Sequence, residues 1–141
     1  MTMATAEPRP TGHSGYNITM SSVPETAAEA RRLARQCCAL WAFDEGTGET
    51  AALLISELVT NAVRHGRSHS IRVRIERPAP DRVRLAAVDK KRCSITLGRP
   101  SPENIGGRGL ALVDALSDRW GVDLLPWGKR VWAEIRVKGQ Q

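Results

Sequence analysis

Aromatic residues are scarce in this chain: four tryptophans, one tyrosine and one phenylalanine among 141 residues. So thin a supply leaves few rings on which successive bases could stack, which counts against a module built to grip single-stranded nucleic acid. Long apolar runs are missing too, since no stretch approaches the roughly 20 residues needed to cross a bilayer. Residues 1–10 lack the hydrophobic core of a signal peptide, so a cytoplasmic protein with no membrane association is expected. Cysteine is confined to Cys37, Cys38 and Cys93, an odd number at no metal-ligand spacing. These are expected to be reduced thiols, with the adjacent pair at least partly buried on a helix. Acidic side chains are outnumbered, 15 against 21 basic ones, for a formal net charge of +6. The surplus permits an anionic partner, whether nucleic acid, nucleotide or acidic protein surface, without choosing among them.

What is present fits one domain with a single core. Residues 1–15 mix Pro8, Pro10, Gly12 and Gly15 with small polar residues and read as a flexible tail, leaving 16–141 as the domain. Tyr16 to Met20 alternates as a short strand. A helix follows from about Glu25 to Trp41, its solvent side carrying Arg31, Arg32 and Arg35 as a solvated face or a docking surface for an acidic partner. Gly46-Thr47-Gly48 breaks the chain before a second helix, Ala51 to Val63, which Gly66 is expected to end. Two alternating strands, Ile71–Glu76 and Arg82–Val88, form a hairpin around Pro78–Asp81, with Arg72, Arg74, Arg82 and Arg84 outward. Residues 90–107 read as a loop that closes over something. A helix from Gly109 to Trp120, ended by Gly121, then leads into strands Val122–Leu125 and Val131–Val137.

Three features carry chemistry. Glu57 and Asn61 stand four residues apart on the flank of the apolar stripe of the second helix, so their side chains lie one above the other. A glutamate can polarise a hydroxyl or water, and an asparagine carbonyl oxygen is a hard ligand suited to Mg²⁺. Asp89 ends an apolar strand abruptly with a carboxylate, either a turn former or an acceptor for an exocyclic amine such as that of adenine. Gly106-Gly107-Arg108-Gly109-Leu110 precedes a helix. Its backbone N–H groups and the positive end of the helix dipole suit a phosphate, and Arg108 can add a charge-assisted hydrogen bond.

Glu57-Leu58-Val59-Thr60-Asn61-Ala62-Val63-Arg64-His65-Gly66, Asp89, and Gly106-Gly107-Arg108-Gly109-Leu110-Ala111-Leu112-Val113 together resemble a histidine-kinase-like ATPase (GHKL) domain. Trp120-Gly121-Val122 and Lys129-Arg130-Val131-Trp132-Ala133-Glu134 extend the likeness, which covers about residues 16–137. The nearest pattern is that of the small bacterial anti-sigma factor serine/threonine kinases. The resemblance implies an α/β (α+β) two-layer sandwich, with a mixed, largely antiparallel sheet and helices on one face, and ATP held beneath a lid near residues 97–105. By position, Asn61 holds Mg²⁺, Glu57 is the general base, Asp89 reads the adenine amine, and Gly107, Arg108, Gly109 and Leu110 line the phosphates. The implied partners are an anti-anti-sigma (STAS-type) protein and a sigma factor, often with a homodimer, while nucleic acid is not expected. The chain departs from the family where Asp-x-Gly-x-Gly becomes Asp89-Lys90-Lys91-Arg92-Cys93, and at Arg130, where relatives often carry threonine. A side chain in place of those glycines obstructs close nucleotide approach. Because Glu57 and Asn61 both remain, the leading expectation is an ATP-dependent protein kinase that also binds a sigma factor. The alternative is a kinase-inactive, protein-binding switch with weak or no nucleotide binding.

Overall fold

The computed structural model describes residues 7–8, 14–65, 68–90 and 107–137. Its elements in chain order are β1 (Glu7–Pro8), β2 (Ser14–Ser21), α1 (Thr26–Leu40), α2 (Glu45–His65), β3 (Ser70–Ala79), β4 (Arg82–Asp89), α3 (Gly107–Leu116), β5 (Arg119–Leu125) and β6 (Gly128–Arg136). The strands form one sheet in the order β1-β2-β3-β4-β6-β5. Every pairing among the described strands is antiparallel, in keeping with the expected largely antiparallel sheet with helices on one face.

Period-two alternation divides each strand between two faces. Ile71, Val73 and Ile75 of β3, Val83, Leu85 and Ala87 of β4, and Val131, Ala133 and Ile135 of β6 are buried in the core. They meet Ala30, Ala34 and Cys37 of α1, Leu54, Ile55, Leu58, Val59 and Ala62 of α2, and Leu110 and Val113 of α3. All three helices therefore cover one face, and each buried Leu or Ile there contributes about 1.5–3 kcal/mol. The Cys37 and Cys38 thiols lie in that core, each 1% exposed. Burial, with the neighbouring Cys38, pushes Cys37 up to about 12, and burial with Asp44 pushes Cys38 to about 11, so both remain protonated thiols at neutral pH. Cys93 lies outside the described residues. Among the described residues no helix is long and apolar enough to cross a membrane.

Three boundaries differ from the sequence reading. First, Gly46-Thr47-Gly48 does not break the chain; it lies inside α2. Asp44 precedes the helix, accepts a hydrogen bond from Thr47 Oγ1 at 2.5 Å, and gives its carbonyl to Gly48 N–H at 3.1 Å. The Thr47 hydroxyl holds the Asp44 carboxyl below its usual range. A good cap thus outweighs two glycines. Second, the last helix stops at Leu116 rather than Trp120, because Asp118 N–H joins the ladder by donating to Glu134 O at 2.8 Å. Third, Gly121 lies within β5 opposite Trp132, where an added Cβ would approach the indole to 2.9 Å. Glycine there makes room for a ring and ends no helix. Glu7–Pro8 pairs with Asn17 and Tyr16, and β2 begins at Ser14. The expected helix terminator Gly66 and the lid near residues 97–105 lie outside the described residues.

On the helix-free face the register lines up Glu76, Arg84, Glu134 and Arg119 in one row. The next row holds Asn17, Arg74, Ala86, Trp132 and Gly121, and a third holds Thr19, Arg72, Val88, Arg130 and Asp123. The four hairpin arginines do share this face, but they share it with acids. Arg84 donates to Glu134 Oε2 at 2.8 Å.

Candidate nucleotide site

The 21-residue helix α2 presents Leu54, Ile55, Leu58, Val59 and Ala62 to the core, which leaves Glu57 and Asn61 on the flank of that stripe. Asn61 is only 5% exposed, while Glu57 is half-buried. Beside Glu57, buried Ser56 accepts a hydrogen bond from Arg31 Nη1 of α1 at 2.8 Å. Arg35 makes a two-pronged contact with Glu49 of α2 at 2.9 and 3.2 Å. Two of the three arginines expected to form a solvated or docking face therefore link α1 to α2, while Arg32 is exposed and makes no such link among the described residues.

Asp89 ends β4 on the helix side of the sheet, in register between Ile71 of β3 and Lys129 of β6. It is 1% exposed. Its Oδ1 lies 3.3 Å from Ser68 Oγ, but that hydroxyl also lies 2.7 Å from the Ser70 carbonyl oxygen. A serine hydroxyl has one proton, and the shorter contact takes it. Asp89 Oδ2 is buried with no hydrogen-bond partner among the described residues. A buried carboxylate so short of donors is costly unless a further N–H reaches it, and an exocyclic amine is such a donor.

Sequence reasoning missed two residues that shape this corner. Ser68 precedes β3 and contacts Asp89 from 21 residues away, which no local pattern reveals. Gly128 opens β6 against the backbone of Asp89. A Cβ there would collide with the Asp89 carbonyl oxygen and press on Lys90 Cα. Gly128 follows Pro126-Trp127, a pattern that signals a turn but not the close approach to Asp89.

Helix α3 begins at Gly107, so Gly107, Arg108, Gly109 and Leu110 make up its first turn. The N–H groups of a first turn have no partner within the helix and sit at the positive end of its dipole. The Leu110 side chain is in the core at 4% exposure, packed with fully buried Val113. That side chain does not line a phosphate site, and only its backbone N–H remains for the role. Helix α2 packs against both β4 and α3, so the elements carrying Glu57 and Asn61, Asp89, and the glycine turn meet on one side of the sheet. Of the two departures from the family pattern, Arg130 is off the site: it faces the opposite side, where its Nε and Nη2 donate to Asp123 Oδ2 at 3.0 and 2.8 Å. Lys90 is exposed, and residues 91–93 lie outside the described residues.

The arrangement offers a buried acceptor for a base, an amide oxygen and a carboxylate on one helix, and a turn of backbone donors for an anion. Residues 20–135 match the family model described as the histidine kinase-like ATPase domain. No curated protein sequence matches the chain. Among solved structures, the RsbU and RsbW domains of Rv1364c from Mycobacterium tuberculosis are similar, with a TM-score of 0.66 and 21% identity. That likeness covers 88% of this chain and 38% of the other, so this chain spans well under half of its length, and the similarity speaks for the fold. Since the matched residues run from the end of β2 almost to the end of β6, taking in Glu57, Asn61, Asp89 and the glycine turn, the chain belongs to the histidine kinase-like ATPase domain family.

Proposed function

We propose that the chain binds ATP with Mg²⁺ and phosphorylates a serine or threonine of a STAS-type anti-anti-sigma partner, alternating this with sequestration of a sigma factor. The observation that carries the reading is Asp89, a buried carboxylate with one oxygen that has no donor among the described residues and that an adenine amine would satisfy. Asp89 reads the base, and the first-turn N–H groups of Gly107, Arg108, Gly109 and Leu110 receive the phosphates. The half-buried Glu57 takes the proton of the attacking hydroxyl as the new O–P bond forms and the bond to the ADP leaving oxygen breaks. Asn61, one turn on, would hold Mg²⁺, which would supply positive charge to the phosphate oxygens. Among the described residues no three His, Cys, Asp or Glu side chains converge as a metal site, so phosphate and water oxygens would complete the coordination.

A second reading is favoured by one observation, the replacement of the Asp-x-Gly-x-Gly glycines by Lys91 and Cys93. It keeps partner binding and discards turnover. Calorimetric titration with ATP and Mg²⁺, followed by transfer of labelled phosphate to a serine-bearing STAS-type protein, separates the two. Under the kinase reading Glu57→Ala loses about 10²- to 10⁴-fold in transfer while its ATP affinity holds. Asn61→Ala weakens the Mg²⁺-dependent part of binding. Partner binding with no transfer at saturating ATP would leave only the switch.

A further inference from the structure

The helix-free face of the sheet carries a second recognition surface. At the end where β4 meets the β5–β6 hairpin, a groove of about 630 Å³ is lined by Arg72, Arg74 and Lys90 together with Val88, Leu125 and Trp127. Arg130 also reaches this groove, but its charge is answered by Asp123 at 2.8 Å. Among the described residues, neither Arg72 nor Lys90 has a hydrogen bond or ion pair. Two uncompensated cations therefore flank an apolar trough. Trp127 is 50% exposed on its rim, and neighbouring Leu124 is 59% exposed. Among the described strands β5 is an edge of the sheet, paired with β6 alone.

We propose that this groove docks an acidic segment of a partner protein, with its carboxylates on Arg72 and Lys90 and an apolar side chain against Val88, Leu125 and Trp127. The distribution of charge selects a peptide over nucleic acid. Asp123 closes the row that holds Arg72, and Glu76 and Glu134 lie two rows away, so the cations form no continuous track for a phosphate backbone. Trp127 is the one exposed tryptophan in the lining, too little for a run of stacked bases. A carboxylate needs only one or two cations, and the apolar floor rewards a side chain that a sugar–phosphate chain does not have. The free backbone groups of the β5 edge suit an extended chain lying alongside. The inference goes beyond the kinase reading and does not depend on it, since the strand residues of the groove face away from the helix side, where Asp89, Glu57 and Asn61 lie.

The test is fluorescence anisotropy in the absence of nucleotide, with a short dye-labelled peptide of glutamates around a single phenylalanine. The full chain binds it, and the double variant Arg72→Glu, Lys90→Glu weakens binding about tenfold or more, as expected when rim charges are reversed. Trp127→Ala weakens it too. Lys90→Glu alone, at an exposed position, preserves the test if the double variant fails to fold. Arg32→Glu on α1 makes the same change of net charge as Lys90→Glu far from the groove, and leaves the affinity within about twofold. Failure of the chain to bind the peptide overturns the proposal, as does equal weakening by Arg32→Glu. Preference for a single-stranded oligonucleotide, lost in the same variants, would assign the groove to nucleic acid and overturn it. A fall from dimer to monomer in the groove variants, with peptide affinity unchanged, would assign it to a second copy of the chain and also overturn it.

Discussion

Glu134 is 2% exposed and faces three guanidinium groups. Arg84 reaches it at 2.7 Å, Arg119 at 3.2 Å and Arg82 at 3.5 Å, while Arg84 and Arg119 also lie over the Trp132 ring at 5.9 and 5.6 Å. Burial by itself would raise the Glu134 carboxyl pKa. The hydrogen bond and charge of Arg84, followed by those of Arg119, outweigh burial and leave it below the ordinary glutamate range. A carboxyl whose pKa is lower folded than unfolded stabilises the fold above the ordinary range, and this contribution is lost as pH falls through the lowered value. The arginines are 35–58% exposed, so solvent screening trims the effect. Glu134→Gln is expected to cost about 1–2 kcal/mol at neutral pH. In urea titrations the gap between wild type and variant narrows at about pH 3, below the ordinary glutamate pKa. An unchanged gap would show that the cluster acts through packing rather than charge.

At the scale of elements, the turn between α1 and α2 shows what could and could not be read from the chain. The α1 end closes with Ala42 N–H donating to Ala39 O at 3.0 Å and Phe43 N–H to Cys38 O at 2.9 Å. This double closure puts Ala42 at φ 62, a left-handed conformation that favours glycine. Ala42→Gly is expected to stabilise the protein by about 0.5–1 kcal/mol, the relief of backbone strain exceeding the added freedom of the unfolded chain. Gly48 presents the opposite case. It is buried inside α2, and a Cβ there would lie 3.7 Å from Cys38 Cβ, an ordinary contact. Gly48→Ala should therefore gain about 0.5–1 kcal/mol in helix propensity. Thermal melts of the two variants check both signs, and a destabilised Gly48→Ala would mean that the helices cannot accept even a methyl group. The two cases explain which parts of the fold were legible. Alternation at Ile71–Ile75 and Val83–Ala87 announced the hairpin, and the spacing of Leu54, Leu58 and Ala62 announced α2, because burial imposes those periods directly. The true start of α2 and the end of α3 were hidden, because Asp44 and Asp118 set them through capping and ladder bonds that reverse local glycine and helix signals. At the site, Glu57, Asn61 and Asp89 were legible as residue types at meaningful spacings. The core location of Leu110, the contact from Ser68 and the turning of Arg130 to the opposite face depend on pairing between distant strands, which a local pattern does not encode.

At the scale of the molecule, the sheet separates two kinds of surface. Its helix side is an apolar core with the candidate nucleotide site at one end, and its other side carries rows of charges and the cationic groove. Helix α2 is packed against α1, β3, β4, β6 and α3. Native-state hydrogen exchange should follow that wiring. Amides of α2 between Leu54 and Ala62 are expected to exchange only through global unfolding, so their opening free energy matches the stability measured in urea. Earlier release of that stretch would show α2 to be a separable unit. The span includes Glu57 and Asn61, so thermal fraying that loosens the hairpin tips passes these two side chains by. Their spacing then persists for as long as the protein stays folded.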